Sequence, residues 1–88
     1  MATANIVLPN ITPLLRRNVL EQLTGDSRST IYRKIQAGTL THGVKIGGDR
    51  VAWPSNEIEA INKARIAGKS DDDIKLLVIK LEALRGVN

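Results

Sequence analysis

The sequence predicts a mainly α-helical domain carrying one small β-hairpin. Three observations lead there. Apolar residues recur every three or four positions, and the helical runs stop at Gly25, Gly38 and Gly68. Ser27 and Ser70 stand just before two of those runs, where a serine hydroxyl can accept from backbone N–H groups of a first helical turn. Val44-Lys45-Ile46 and Val51-Ala52-Trp53 are two β-prone runs around Gly47-Gly48-Asp49, a glycine-rich hairpin turn.

Taken in order, residues 1–13 hold Pro9, Pro13 and the short run Ile6-Val7-Leu8, and are expected to form a flexible arm. Leu14-Leu15 lead as a short strand into a first helix of about Arg17 to Leu23, with Val19, Leu20 and Leu23 at helical spacing. A second helix follows from about Arg28 to Ala37. Two helices joined by a short glycine-containing turn are the mark of a helix-turn-helix, and a cationic hairpin beside it is a wing. Residues 14–68 are therefore expected to be a winged helix-turn-helix, closed by a third helix of about Asn56 to Ala67 with Ile58 and Ile61 facing inward.

Residues 69–88 add a C-terminal amphipathic helix, about Asp71 to Arg85, capped by Ser70 and with Asp71, Asp72 and Asp73 at the positive end of its dipole. Ile74, Leu77, Val78, Leu81 and Leu84 form one stripe, enough to pack on the domain. Leu76, Ile79 and Ala83 lie on nearly the opposite side. A helix apolar on two faces is seldom a free surface helix, so these three are the expected oligomer interface. If that contact runs head-to-tail, copies line up along DNA as an open array.

Composition narrows the chemistry. The 88 residues suit one small domain, 42% hydrophobic but only 2% aromatic, so the core must be aliphatic. With no cysteine and a single histidine, disulfides and thiolate metal sites are excluded, and no metal or other cofactor is expected. The sequence shows neither a secretory leader pattern nor an apolar run of membrane-spanning length, so a bacterial cytoplasmic, nucleoid-associated protein without a membrane partner is expected. The net charge of +4 resides in residues 16–53, where Arg16, Arg17, Arg28, Arg33, Lys34, Lys45 and Arg50 face only Glu21, Asp26 and Asp49. A basic middle suits a polyanion, double-stranded DNA above all.

The second helix, within the stretch TGDSRSTIYRKIQAG, has almost no apolar stripe beyond Ile31 and Ile35. With those two turned inward, Ser29, Arg33 and Gln36 point roughly outward, Thr30 and Tyr32 flank them, and Arg28 stands at the helix start. Guanidinium, amide and short hydroxyl groups suit base edges in a major groove. Arg28, Ser29, Thr30, Tyr32, Arg33 and Gln36 are thus the expected recognition set. Lys45, Gly47, Gly48 and Arg50 form the wing contact, and Arg16, Arg17, Ser27 and Lys34 the phosphate contacts. Taken by itself, such a charged face on a surface helix favours a solvated role; the preceding helix, the glycine turn and the following hairpin turn the reading toward DNA.

Other signals lead nowhere further. Gly47-Gly48 lacks the Lys-Ser/Thr of a phosphate-binding loop. His42 is isolated, and Trp53 reads as a core anchor. The three consecutive aspartates point in different directions. No nucleophile–base–orienter set emerges, so no enzyme is expected.

The segments LLRRNVLEQLTGDSRSTIYRKIQAG and VKIGGDRVAWPSNEIEAI, within residues 14–66, resemble the AlpA family of prophage and integrative-element regulators. That family includes small excisionases, or recombination directionality factors. The resemblance implies a MerR-like, excisionase-like winged helix reading DNA through Ser29, Arg33 and Gln36, with Lys45 and Arg50 on the wing. It also implies a partner integrase or recombinase. Where the family has a proline-containing link into the wing, this chain has Leu40-Thr41-His42-Gly43. Three roles remain open: an excisionase that bends DNA, a transcriptional regulator, and an adaptor docking on an acidic protein.

Overall fold

Strand β1 (Leu14–Leu15) leads into helix α1 (Arg17–Thr24) in the computed structural model, which describes residues 12–86. Of the arm expected over residues 1–13, all but Thr12 and Pro13 lies outside the described residues. Helix α2 (Arg28–Ala37), strands β2 (Val44–Gly47) and β3 (Arg50–Pro54), and helices α3 (Ser55–Ile66) and α4 (Asp71–Ala83) follow, with a short 3-10 turn at Leu84–Gly86.

The caps are those the residue types dictate. Gly25 and Gly38 take the left-handed backbone (φ 76° and 84°) that lets the N–H just past each helix return to its last carbonyls. Ser27 Oγ accepts from Thr30 N, and Ser70 Oγ from Asp73 N, satisfying one free donor at each helix start. The hairpin gains a third strand. Leu14 and Leu15 pair antiparallel with Pro54 and Trp53, in the order β1-β3-β2, and Ser55 N donates to Pro13 O at 2.9 Å. That bond fixes where α3 begins, directly behind the wing.

One core, aliphatic apart from Trp53, sits under all of this. Leu20 of α1, Ile31 of α2, Leu40 of the link, Trp53 of β3, Ile58 and Ile61 of α3, and Ile74 and Val78 of α4 form a single buried cluster. Helix α4 is thus part of the winged domain's core, with Ile74 as fully buried as Leu20.

Two expectations about apolar stripes fail. In α1 Leu20 is buried, while Val19 and Leu23 are exposed, because this two-turn helix lies at the edge of the domain and turns a single position fully toward the core. In α4 the stripe ends at Leu81. The helix tightens into the 3-10 turn after Ala83, which swings Leu84 out to solvent.

Candidate nucleic-acid interface

Ile31 is fully buried and Ile35 half-buried, and that pins the rotation of α2. Arg28, Ser29, Tyr32, Arg33 and Gln36 are then exposed. Thr30 is half-buried and acts as a hub: Ser27 Oγ donates to Thr30 Oγ1 at 2.9 Å, and Arg33 Nη2 donates to the same oxygen at 2.9 Å. The guanidinium of Arg33 is thereby drawn back toward the helix start with most of its five donors still unused.

Arg16, Arg17, Asn18, Arg28 and Tyr32 line one open polar cleft, with Asp49 and Val51 of the wing on its far side. Arg16 occupies the N-cap of α1, and among the described residues no side chain caps the first-turn N–H groups. Arg17 Nε is held at 3.1 Å by Glu21 Oε2; that carboxylate, and then Tyr32, keep the guanidinium pKa above its ordinary range. Asn18 was not among the residues expected here. Its place in the first turn of α1, beside two arginines, was the only signal.

On the wing, Lys45 pairs with Val51, whose side chain lines the cleft, so both stand on the cleft's face of the hairpin. The register slips between Lys45 and Gly47, and Gly47 then opposes Arg50. A Cβ at Gly47 would lie 3.2 Å from Arg50 Nη2, so glycine leaves the guanidinium room to fold over the turn. Lys34 stands apart from this group. It pairs with Asp26 at 2.7 Å and, with Thr39, Asn62 and Arg65, lines a small cavity on the side facing α3.

The link from α2 into the wing, Leu40-Thr41-His42-Gly43, is clamped on three sides. Trp53 Nε1 donates to Thr41 O at 2.8 Å, and a side chain at Gly43 would stand 3.2 Å from the Trp53 ring. The His42 amide donates to Glu82 Oε2 at 2.7 Å, and His42 Nδ1 lies 2.9 Å from the same oxygen, although the ring is largely exposed. Partial burial pushes the Glu82 carboxyl up, but the two His42 contacts outweigh it and hold the pKa below the usual glutamate range. Arg85 bonds both the His42 carbonyl and the buried Glu57, and the Glu57 contact raises its pKa further. The wing's base is therefore fastened to the end of α4. No such contact was foreseen, because nothing local in the sequence marks it.

The aspartates at 71–73 behave as a helix start: Asp71 pairs with Arg65 at 2.7 Å, which lowers its pKa. Among the described residues no group of three or more His, Cys, Asp or Glu side chains is arranged to hold a metal, and no helix is long and apolar enough to cross a membrane.

Comparison with known proteins adds a family. The model of the prophage CP4-57 regulatory protein (AlpA) family matches residues 13–66. An uncharacterized protein, ORF88, of Enterobacteria phage P4 is 44% identical over 64 residues, covering 70% of this chain and 73% of its own. No solved structure matches with significance. The matched residues take in α1, α2 and the hairpin, which build the cleft and the face above it, together with α3 behind them, and the chain belongs to the AlpA family of prophage regulatory proteins.

Proposed function

We propose that this protein binds double-stranded DNA by placing α2 in the major groove, and that it acts near an attachment site as a recombination directionality factor. The observation that carries the DNA reading is one continuous surface. Ser29, Arg33 and Gln36 are presented outward by a helix whose opposite side is buried, beside a cleft holding Arg16, Arg17 and Arg28. Arg33, Gln36 and Ser29 supply base-edge contacts. Arg16, Arg17, Arg28 and the free N–H groups of α1 take backbone phosphates, and Lys45 and Arg50 extend the grip along the duplex. Lys34, already paired, contributes weakly.

The directionality role is supported by the outer face of α4, where Leu76, Ile79 and Ala83 are exposed. Copies that meet through this face on adjacent sites would bend the DNA and bias a separate integrase toward excision. A second reading, transcriptional regulator, is favoured by the matched family's description as regulatory. Circularly permuted fragments carrying the cognate site or sites separate the two. An excisionase shifts mobility with site position and stimulates excision by the element's integrase in a reconstituted reaction. A regulator that only occupies a promoter does neither.

A further inference from the structure

Helix α3 meets different surroundings on its two flanks. On one, Glu57 takes the Arg85 pair and Ala64 lines a shallow pocket with Leu77, so this flank is covered by α4 and the turn that ends it. Glu59 and Ile66 each lie two residues further on, about 200° around the helix, and so face the opposite way. There they join Pro13, Leu15, Leu23 and Ile58 in an open, mainly apolar groove between α1 and α3. Nothing among the described residues covers it, and Leu23 is 53% and Ile66 86% exposed.

Helix α4 carries a surface of matching character. Leu76, Ile79 and Ala83 lie across the helix from the buried Ile74, with Leu76 67% and Ile79 65% exposed. Their spacing of three and four residues makes a narrow seam, the pattern by which one helix seats against another. Lys75 and Lys80 flank that seam and Asp72 stands at its start. The groove's rim carries Glu59 and Lys63, which lie 3.6 Å apart in a largely exposed pair, so that each is able to turn to a charge of opposite sign beside the seam.

We infer that the α4 seam of one copy seats in the α1–α3 groove of the next, so that each α3 is held between its own α4 and its neighbour's. The inference rests on the reading of Leu76, Ile79 and Ala83 as a self-association surface and names what receives it. Seam and groove are different surfaces on opposite sides of α3. The contact is therefore heterologous, and it repeats in one direction instead of closing about a two-fold axis. The occupant is a second copy of this chain because both halves of the contact, apolar and charged, are present on it.

Two double variants test this. Leu76→Lys with Ile79→Lys removes the seam, and Leu23→Lys with Ile66→Lys removes the groove. All four side chains are more than half exposed, so both proteins are expected to keep the wild-type circular dichroism spectrum and wild-type affinity for a single DNA site. In sedimentation, wild type associates progressively with concentration, and each variant alone associates at least about tenfold more weakly. An equimolar mixture of the two recovers complexes of two chains and nothing larger, because just one intact seam meets one intact groove. If the groove variant associates like wild type, the seams pair with each other and the inference is overturned. A wild type that stays monomeric, or a mixture that recovers no pairs, overturns it as well. Failure of wild type to bind any single DNA site would instead count against the DNA reading and leave the association result standing.

Discussion

Arg85 holds the buried carboxylate of Glu57 with two nitrogens, Nε at 2.8 Å and Nη2 at 2.7 Å, and the same Nη2 reaches the His42 carbonyl at 2.6 Å. One side chain thus joins the end of α4, the start of α3 and the link into the wing. Removing it leaves a carboxylate without its counter-charge in a site that excludes water. Arg85→Ala is expected to lower unfolding free energy by about 3 kcal/mol, measured by urea denaturation. Arg85→Lys should recover part of that, since an ammonium restores the charge but not the two-pronged geometry. A destabilisation no larger than that of an ordinary surface substitution would show that the pair does not hold the wing.

Glu82 gives that clamp a pH dependence. Its folded pKa lies below the ordinary glutamate value, so the folded state favours the ionised form. Its contribution is complete above the unfolded value and disappears as pH falls through the folded one. The carboxylate is partly exposed, so the effect is at most about 1 kcal/mol. Unfolding midpoints of wild type and Glu82→Gln should differ at pH 6 and converge toward pH 3. A constant gap across that range would assign the difference to something other than this ionisation.

Thr41 is fully buried, and among the described residues its hydroxyl oxygen has no hydrogen-bond partner, while its backbone carbonyl accepts from Trp53. A buried hydroxyl left unpaired costs free energy that a methyl group of the same shape does not. Thr41→Val should therefore raise stability by about 1 kcal/mol with no change in DNA affinity. Thermal unfolding and a binding titration check both halves.

The parts of this fold legible in the sequence are those set by neighbours along the chain. Ser27 and Gly38 bound α2, Ser70 opens α4, and Gly47-Gly48 turns the hairpin, each through backbone geometry that only nearby residues influence. The outward face of α2 was legible for the same reason, because Ile31 and Ile35, one turn apart, fix its rotation. What stayed hidden depends on distant contacts. Leu14-Leu15 read as a short strand, but nothing near them in the chain names β3 as their partner. Val19 and Leu23 have core-like spacing, but Leu20 is the position of α1 that reaches the core. The bonds of Glu57 to Arg85 and Glu82 to His42 span 28 and 40 residues. At the site, Arg16 and Arg17 were visible as charge, whereas Asn18 emerged only when the cleft had walls. Lys34 read as a phosphate contact from its place on the helix, yet Asp26, eight residues away, holds it.

Arg33 is the residue on which base discrimination should depend most. Arg33→Ala is expected to weaken binding to the cognate site by roughly 1–3 kcal/mol with an unaltered unfolding curve. Thr30→Val removes the hydroxyl that orients Arg33 and should lower affinity by a smaller amount in the same direction. Equal affinities of wild type and Arg33→Ala, in a fluorescence anisotropy titration, would remove Arg33 from the recognition set.

Above all, the outer face of α2 and the wing should grip one DNA duplex together. The most direct measurement is the salt dependence of binding, for wild type and for Lys45→Ala with Arg50→Ala, on cognate and on random duplexes. Removing one phosphate neutralisation reduces the slope of log K against log salt by about 0.9, so the double variant should show a slope smaller by up to about two units on both duplexes alike. Its preference for the cognate site should survive, because Ser29, Arg33 and Gln36 are untouched. An unchanged slope on both duplexes would mean that the hairpin does not touch the DNA backbone, and that the helix face binds without the wing.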